Sequence, residues 1–499
     1  MTLKYTFFKW ALFFVILTGI ILLFYTNYRA AVLSITHDEA VIHQLIIQYS
    51  RLEIFNYVIS QDHMIHTWLM KFTSQQFQDN EYILRLPNLL GHLLYIIFSI
   101  LLLVKLKNPH LLIAGFVLLN CNPYLLDFFS IARGYGLSLS IMMISIYFGF
   151  SFVLSRRTHL LILSFFFSIL SVLTVITLLN FIIALGGTLA LTMIFWWAQN
   201  KFKLKRDLLH ISVIFLLVMV ASLVLLYLKL GEPLNRLQTE NFIYQTSQSN
   251  FYLETIRSII YRSSYNYDQI LVVDIGSYIF IAAFLLAFFI IAPMIIKKDY
   301  SFTGRLMFFS LMIFLIVVIS TTLQNSLFDI RFLGNRTATF IAPLMVLFIV
   351  GFVDELSQLK TIRIPVIVLI YLAAALFLFN TAKNANLEKY LDWPYESSTK
   401  EMMHDLCEDA GHKPGKNYKM GIVWLYEPSI NFYRFIWDID WLEEVDRKGY
   451  IGDFDYFYVL EKDSVLTKDI FRDKIKVKSY KKSGMVLLKK EDFNEENTQ

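Results

Sequence analysis

Charge is what this chain of 499 residues has least of: Lys, Arg, Asp and Glu make up 17% of it, against about a quarter in ordinary soluble domains. The shortage is uneven, because residues 382–499 hold 42 of the 85 charged side chains. Cysteine is scarcer still. Cys121 falls in an apolar run and Cys407 in the polar tail, so no disulfide framework is implied and no redox compartment is indicated. Internal repeats are absent, and so is any compact metal-ligand spacing of the HExxH kind. The tail lacks a glycine-rich phosphate loop and a nucleophile elbow. The net charge of +5 is scattered over short loops between apolar stretches, which excludes nucleic acid as a partner.

What is present is apolar: 56% hydrophobic residues, with 45 Phe, 28 Tyr and 8 Trp. A helix needs about 20 apolar residues to cross the hydrocarbon core. Eleven runs qualify, near 7–25, 86–104, 110–129, 134–154, 160–176, 178–198, 208–228, 275–296, 306–323, 337–353 and 364–380. The stretch 160–198 is too long for one span and is split near Thr174 to Thr177. No small-residue cleavage site follows the first run, which is therefore read as a retained span. The expected fold is an α-helical polytopic membrane domain, residues 1–381, followed by a small soluble α/β domain, residues 382–499.

Orientation follows from the short loops. One alternate set, from the N-terminus through Lys105, Arg156–Arg157, Lys201–Arg206, Lys297–Arg305 and Lys360–Arg363, holds 15 basic and 4 acidic residues; the other holds 11 and 13. The first set is assigned to the cytoplasm. The tail and the long loops 27–85 and 229–274 then share the outer face, where chemistry is expected.

Loop 27–85 begins Thr36-His37-Asp38-Glu39-Ala40-Val41, and its apolar spacing through Leu52 predicts a helix lying in the membrane interface. Asp38 and Glu39 at its start are the kind of residue a helix N-terminus favours, by about 0.3–1 kcal/mol, so a capping pair is one account of them. Gln61-Asp62-His63-Met64-Ile65-His66 comes next, and then Arg85-Leu86-Pro87-Asn88 opens the second span. Asn122-Pro123-Tyr124 leads into Ser130-Ile131-Ala132-Arg133-Gly134-Tyr135, and Asn335-Arg336-Thr337 precedes Ala342-Pro343-Leu344.

In their order and common side these pieces resemble the GT-C superfamily of polyprenyl-phosphate-sugar-dependent glycosyltransferases, in particular the protein O-mannosyltransferase-like and lipid A aminoarabinose transferase-like members. Two departures stand out: Met64-Ile65 occupy positions where prolines are usual, and Ile131 replaces an acidic residue. The resemblance implies transfer of a sugar from a lipid-linked donor to a glycan, lipid or protein acceptor at the outer face of a bacterial inner membrane, with inversion if attack is direct. Asp38 matches the base, and Glu39 is expected to orient the acceptor. Arg133, Arg336, His63 and Arg85 are the candidates for donor phosphate or sugar, since an arginine fork suits phosphate oxygens. The resemblance fixes no cofactor and leaves a divalent metal open. A divalent ion, if held, would draw on Glu39, His43, His63 and His66, which pair one helical turn apart. The alternative from another class is a transporter or flippase of lipid-linked saccharides, in which internal repeats and polar breaks at the membrane midplane are expected.

The loop 229–274 carries Phe242, Tyr244, Phe251, Tyr252, Tyr261, Tyr265 and Tyr267 with Arg257 and Arg262, a composition suited to an interfacial flap or to an aromatic belt. In the tail, a helix is expected at 397–410, strands at 419–426 and 455–460, and a closing hairpin around Lys481–Gly484.

Overall fold

The computed structural model describes residues 2–51, 53–54, 63–203, 205–239, 250–265, 270–411, 417–462 and 474–491. Gln61, Asp62, Phe242, Tyr244 and Tyr267 lie outside the described residues. The chain opens with α1 (Thr2–Val32), followed in loop one by α2 (His37–Gln48) and α3 (Met64–Gln76). The bundle continues with α4 (Glu81–Leu103), α5 (His110–Asn120), α6 (Pro123–Phe129), α7 (Tyr135–Ser155), α8 (Thr158–Thr174), α9 (Leu179–Gln199) and α10 (Arg206–Thr239). A short α11 (Ser258–Ser263) precedes α12 (Ile270–Ile296), α13 (Leu306–Phe328), α14 (Ile341–Leu356) and α15 (Arg363–Asn384).

Among the described residues, nine helical segments are long and apolar enough to cross a membrane. The run at 110–129 is not one straight span. It is the pair α5 and α6, bent by 64°, because Asn122 caps a new helix by accepting from the Tyr124 and Leu125 amides and Pro123 occupies its first position. The expected run at 160–176 is α8, an apolar helix of only 17 residues. The split near Thr174 to Thr177 is real: α8 ends at Thr174, Val175 is extended, and a 3-10 turn leads into α9.

Polar groups collect at opposite ends of the bundle. At one end Glu355, in the last turn of α14, accepts from Lys107 at 3.0 Å and Arg305 at 2.5 Å, while Asp354 accepts from the Asn108 amide at 3.0 Å. Arg336, just before α14, lies at the other end beside loop one. A 16-residue helix is about 24 Å long, so the cluster of Lys107, Arg305 and Glu355 and the pair of Arg336 with Asp38 stand at opposite ends of α14.

The tail forms α16 (Thr399–Ala410), α17 (Glu427–Ile436) and a four-stranded sheet of β1 (Met420–Ile422), β2 (Tyr456–Leu460), β3 (Lys474–Tyr480) and β4 (Met485–Lys490), ordered β1-β2-β4-β3. β1 and β2 are parallel, and the other pairs are antiparallel. Its core is shared with loop one. Ile35, Ala40, Ile42, Ile46, Met70 and Leu84 are buried in one cluster with Met402, Leu406, Ile430, Phe432, Tyr433 and Leu487. This corrects the expected interfacial helix: the apolar face of α2 packs against α17, with His43 edge-on to Phe432 and Phe435, rather than against lipid. Polar clamps complete the docking. The Tyr433 hydroxyl donates to Glu81 and accepts from the Ile35 amide, and Lys400 pairs with Glu81 at 2.8 Å.

Candidate active site

Thr36 starts α2. Its hydroxyl accepts from the Glu39 amide, and the Glu39 carboxylate accepts from the Thr36 amide at 2.8 Å, a reciprocal capping box. The cap is therefore built by Thr36 and Glu39, not by Asp38.

Glu39 is fully buried and both its oxygens are saturated. Oε1 accepts from Arg85 Nε at 2.8 Å and from the Ala132 amide at 2.5 Å; Oε2 accepts from Arg85 Nη2 at 2.8 Å and from Thr36. Arg85 in turn spends its three remaining N–H groups on the carbonyls of Ala30, Leu33 and Ser34 at the end of α1, so all five donors of the guanidinium are engaged. Two expectations change accordingly. Arg85 has no donor left for a phosphate, and Glu39 has neither exposure nor a lone pair to orient an acceptor. Together the pair ties the end of α1 to the start of α2 and to the backbone next to Arg133.

Asp38 faces the other way. Its carboxylate is 22% exposed, and Oδ2 meets Arg336 Nη1 at 3.0 Å and Arg133 Nη2 at 3.5 Å. Three residues drawn from loop one, from the turn between α6 and α7, and from the segment before α14 thus converge on one atom. Among the described residues, Asp38 Oδ1 takes no hydrogen bond. The Arg133 turn is fixed by Asn88, which donates to the carbonyls of Ile131 and Arg133 and accepts from the Leu137 amide. Asn88 ends the Arg85-Leu86-Pro87-Asn88 motif, yet the motif alone did not single it out as the residue that holds this turn.

The tail also reaches the site, which the sequence did not reveal. Trp393 is buried beneath the Arg336 guanidinium, 5.8 Å from its ring centroid, and the His37 ring meets the Leu425 carbonyl at 2.6 Å. Arg262 binds Asp392 at 3.0 Å and Asn335 at 3.0 Å, so loop 229–274 braces both the tail linker and the residue next to Arg336. Phe251 packs edge-on to Phe314 and Phe332, and Tyr252 stacks on Tyr278. These aromatics lie down on the bundle.

His63 sits at the start of α3, buried, with its ring edge-on to Tyr135 and Nδ1 3.3 Å from the Thr174 carbonyl. Gly134 allows this approach, since a Cβ there would stand 2.8 Å from His63 Nδ1 and 2.9 Å from the Thr174 oxygen. Burial, reinforced by the Arg133 charge, holds His63 well below the usual imidazole range and brings His66 down to about 3. The four residues proposed as metal ligands do not assemble. Glu39 is saturated by Arg85, His43 pairs with Asp79 at 3.0 Å, and His63 and His66 lie in the field of Arg133. Among the described residues no group of three potential ligands forms.

No protein-family model matches the chain, and no curated protein does. Among solved structures it is similar to ArnT from Cupriavidus metallidurans bound to undecaprenyl phosphate, at 12% identity and a TM-score of 0.48 over 96% of this chain and 97% of that one. The apo state of that ArnT gives 11% identity at the same TM-score and coverage. The archaeal oligosaccharyltransferase AglB from Archaeoglobus fulgidus, in complex with an inhibitory peptide and a dolichol-phosphate, gives 12% identity and a TM-score of 0.41 over 84% of this chain and 63% of that one.

Proposed function

We propose that the chain is a GT-C-type glycosyltransferase that moves a sugar from a polyprenyl-phosphate carrier to an acceptor hydroxyl, with Asp38 as general base and Arg133 and Arg336 as the phosphate cradle. The observation that carries this reading is the meeting of those three side chains at Asp38 Oδ2. The acceptor oxygen attacks the anomeric carbon as the bond from that carbon to the phosphate oxygen breaks. The acceptor proton passes to Asp38, and polyprenyl phosphate leaves with the bonding electrons. One direct displacement inverts the anomeric centre.

The roles fit the chemistry of the groups. A carboxylate within reach of the hydroxyl supplies about 100- to 10,000-fold as a general base, and two guanidinium groups stabilise the charge that grows on the leaving phosphate. Before the donor arrives, the arginines hold Asp38. The phosphate competes for them and releases the carboxylate toward the acceptor, so binding is ordered with the donor first. The 15-to-4 charge ratio of one loop set supports an extracytoplasmic site, with the tail on the same side.

Purified protein incubated with radiolabelled polyprenyl-phosphate sugars and envelope glycans, lipids and proteins should transfer label to an acceptor and liberate polyprenyl phosphate. Movement of the intact carrier between leaflets without transfer would replace the enzyme by a flippase.

A further inference from the structure

Beside the cradle lies a set of buried polar atoms that, among the described residues, have no hydrogen-bond partner: His63 Nε2, both ring nitrogens of His66, Thr67 Oγ1 and Arg133 Nε. The four residues are 1%, 0%, 0% and 7% exposed. Leaving such an atom unsatisfied costs about 1–3 kcal/mol each, and native proteins leave few of them. Positions 63, 66 and 67 share one face of the first turn of α3, whose N-cap residue His63 makes no side-chain cap bond. The charge of Arg133 acts on both rings and that of Arg336 on the ring of His63.

The chemistry of this set is mixed. Each neutral imidazole offers one donor and one acceptor, a threonine hydroxyl offers both, and Arg133 Nε adds a donor. An ionised phosphate, which only accepts, would leave the imidazole acceptors facing oxygen. An ammonium group would enter the positive field of Arg133 and a helix N-terminus. Sugar hydroxyls, which donate and accept at one atom, satisfy every member of the set.

Resting on the donor reading above, we propose that His63, His66, Thr67 and Arg133 form the polar cluster that reads the hydroxyls of the donor sugar and selects an uncharged sugar over an amino sugar. His66 and Thr67 are then specificity residues that touch the sugar alone, while Arg133 bridges sugar and phosphate.

The test is equilibrium binding of three radiolabelled ligands to the full-length protein in lipid nanodiscs: polyprenyl phosphate, polyprenyl-phosphate glucose and polyprenyl-phosphate aminoarabinose. Wild type should bind the glucosyl carrier at least 10-fold more tightly than the bare carrier, and the aminoarabinosyl carrier no more tightly than the bare one. Thr67→Val, which replaces the hydroxyl by a methyl in a nearly unchanged volume, and His66→Leu should each weaken the glucosyl carrier about 10-fold and move the bare carrier less than twofold; His66→Gln should recover part of the loss. Equal weakening of both carriers would make the cluster a phosphate or folding element. Unchanged affinities in both variants, or preference for the aminoarabinosyl carrier, would also overturn the proposal while leaving the transferase reading in place. Folded wild type that binds none of the three ligands would remove the donor reading itself.

Discussion

Asp38 and Glu39 are neighbours in sequence, both in the first turn of α2 and both bound by arginine, yet they stand in opposite environments. Glu39 and Arg85 form a sealed centre in which four acceptor contacts on the carboxylate and five guanidinium donors are all used. Asp38 with Arg133 and Arg336 forms an open one, partly exposed and short of partners. The sealed centre does structural work: a buried ion pair repays its desolvation only with complete hydrogen bonding. The open centre keeps the unsatisfied valence that a substrate can fill. Adjacent positions on a helix point about 100° apart, and that turn is enough to place one carboxylate in the protein and the other at its surface.

The largest effect should come from breaking the sealed centre. Arg85→Ala strands a buried carboxylate and should cost about 3–5 kcal/mol, read as loss of folded protein or a large drop in thermal midpoint. A variant that melts like wild type would show that the two centres do not differ in kind. Asp38→Asn should separate them most cleanly. The cap made by Thr36 and Glu39 is untouched, so stability should barely move, while transfer falls by roughly 100-fold or more. Normal turnover by the folded variant would end the base assignment. Because the asparagine no longer competes for two guanidinium groups, its affinity for polyprenyl phosphate should rise rather than fall, which a binding isotherm would read directly.

Arg133→Ala should weaken the donor by about 10-fold or more, and Arg133→Lys should recover only part because the planar fork is lost. Undiminished donor affinity in the alanine variant would leave Arg133 as an interfacial cation.

Another buried carboxyl sharpens the comparison from another side. Glu396 in the tail has no arginine; it is held by the Ser429 and Thr399 hydroxyls at 2.6 Å each, and burial pushes it up from its ordinary 4.5 to about 8. The folded chain therefore keeps a proton that the unfolded chain gives up. Its contribution is complete below pH 4.5 and is lost as pH rises toward 8, at on the order of 1 kcal/mol per pH unit, and it levels off above. Glu396→Gln should flatten that slope in thermal melts run across the window; an unchanged slope would place the titration elsewhere.

Much of the membrane domain was legible because a spanning helix is a local statement: an apolar run of sufficient length crosses the core wherever its neighbours pack. All eleven runs have helical counterparts, and the difficult boundary at Thr174 fell where length required it. The bend at Asn122-Pro123 was also written locally, in a cap followed by proline, but was read through because the flanking residues are apolar. In the proposed site, Asp38, Arg133, Arg336 and His63 were named from residue type and motif order. Arg85 and Glu39 could not be told from them, since burial and saturation are not properties of a motif.

The sequence by itself determined the helical spans, the division of charge between two sets of loops, the tail's strands and the identity of the polar residues at one end of the bundle, because periodicity, run length and composition act over a few residues at a time. Only the tertiary structure decided which carboxylate is sealed and which is open, that α2 packs on α17 instead of lipid, that Trp393 lies beneath Arg336, and that His63 Nε2, His66 and Thr67 Oγ1 find no partner among the described residues. Each of these depends on groups distant in the chain competing for the same hydrogen bonds and the same volume, and that competition is settled only when the chain is packed.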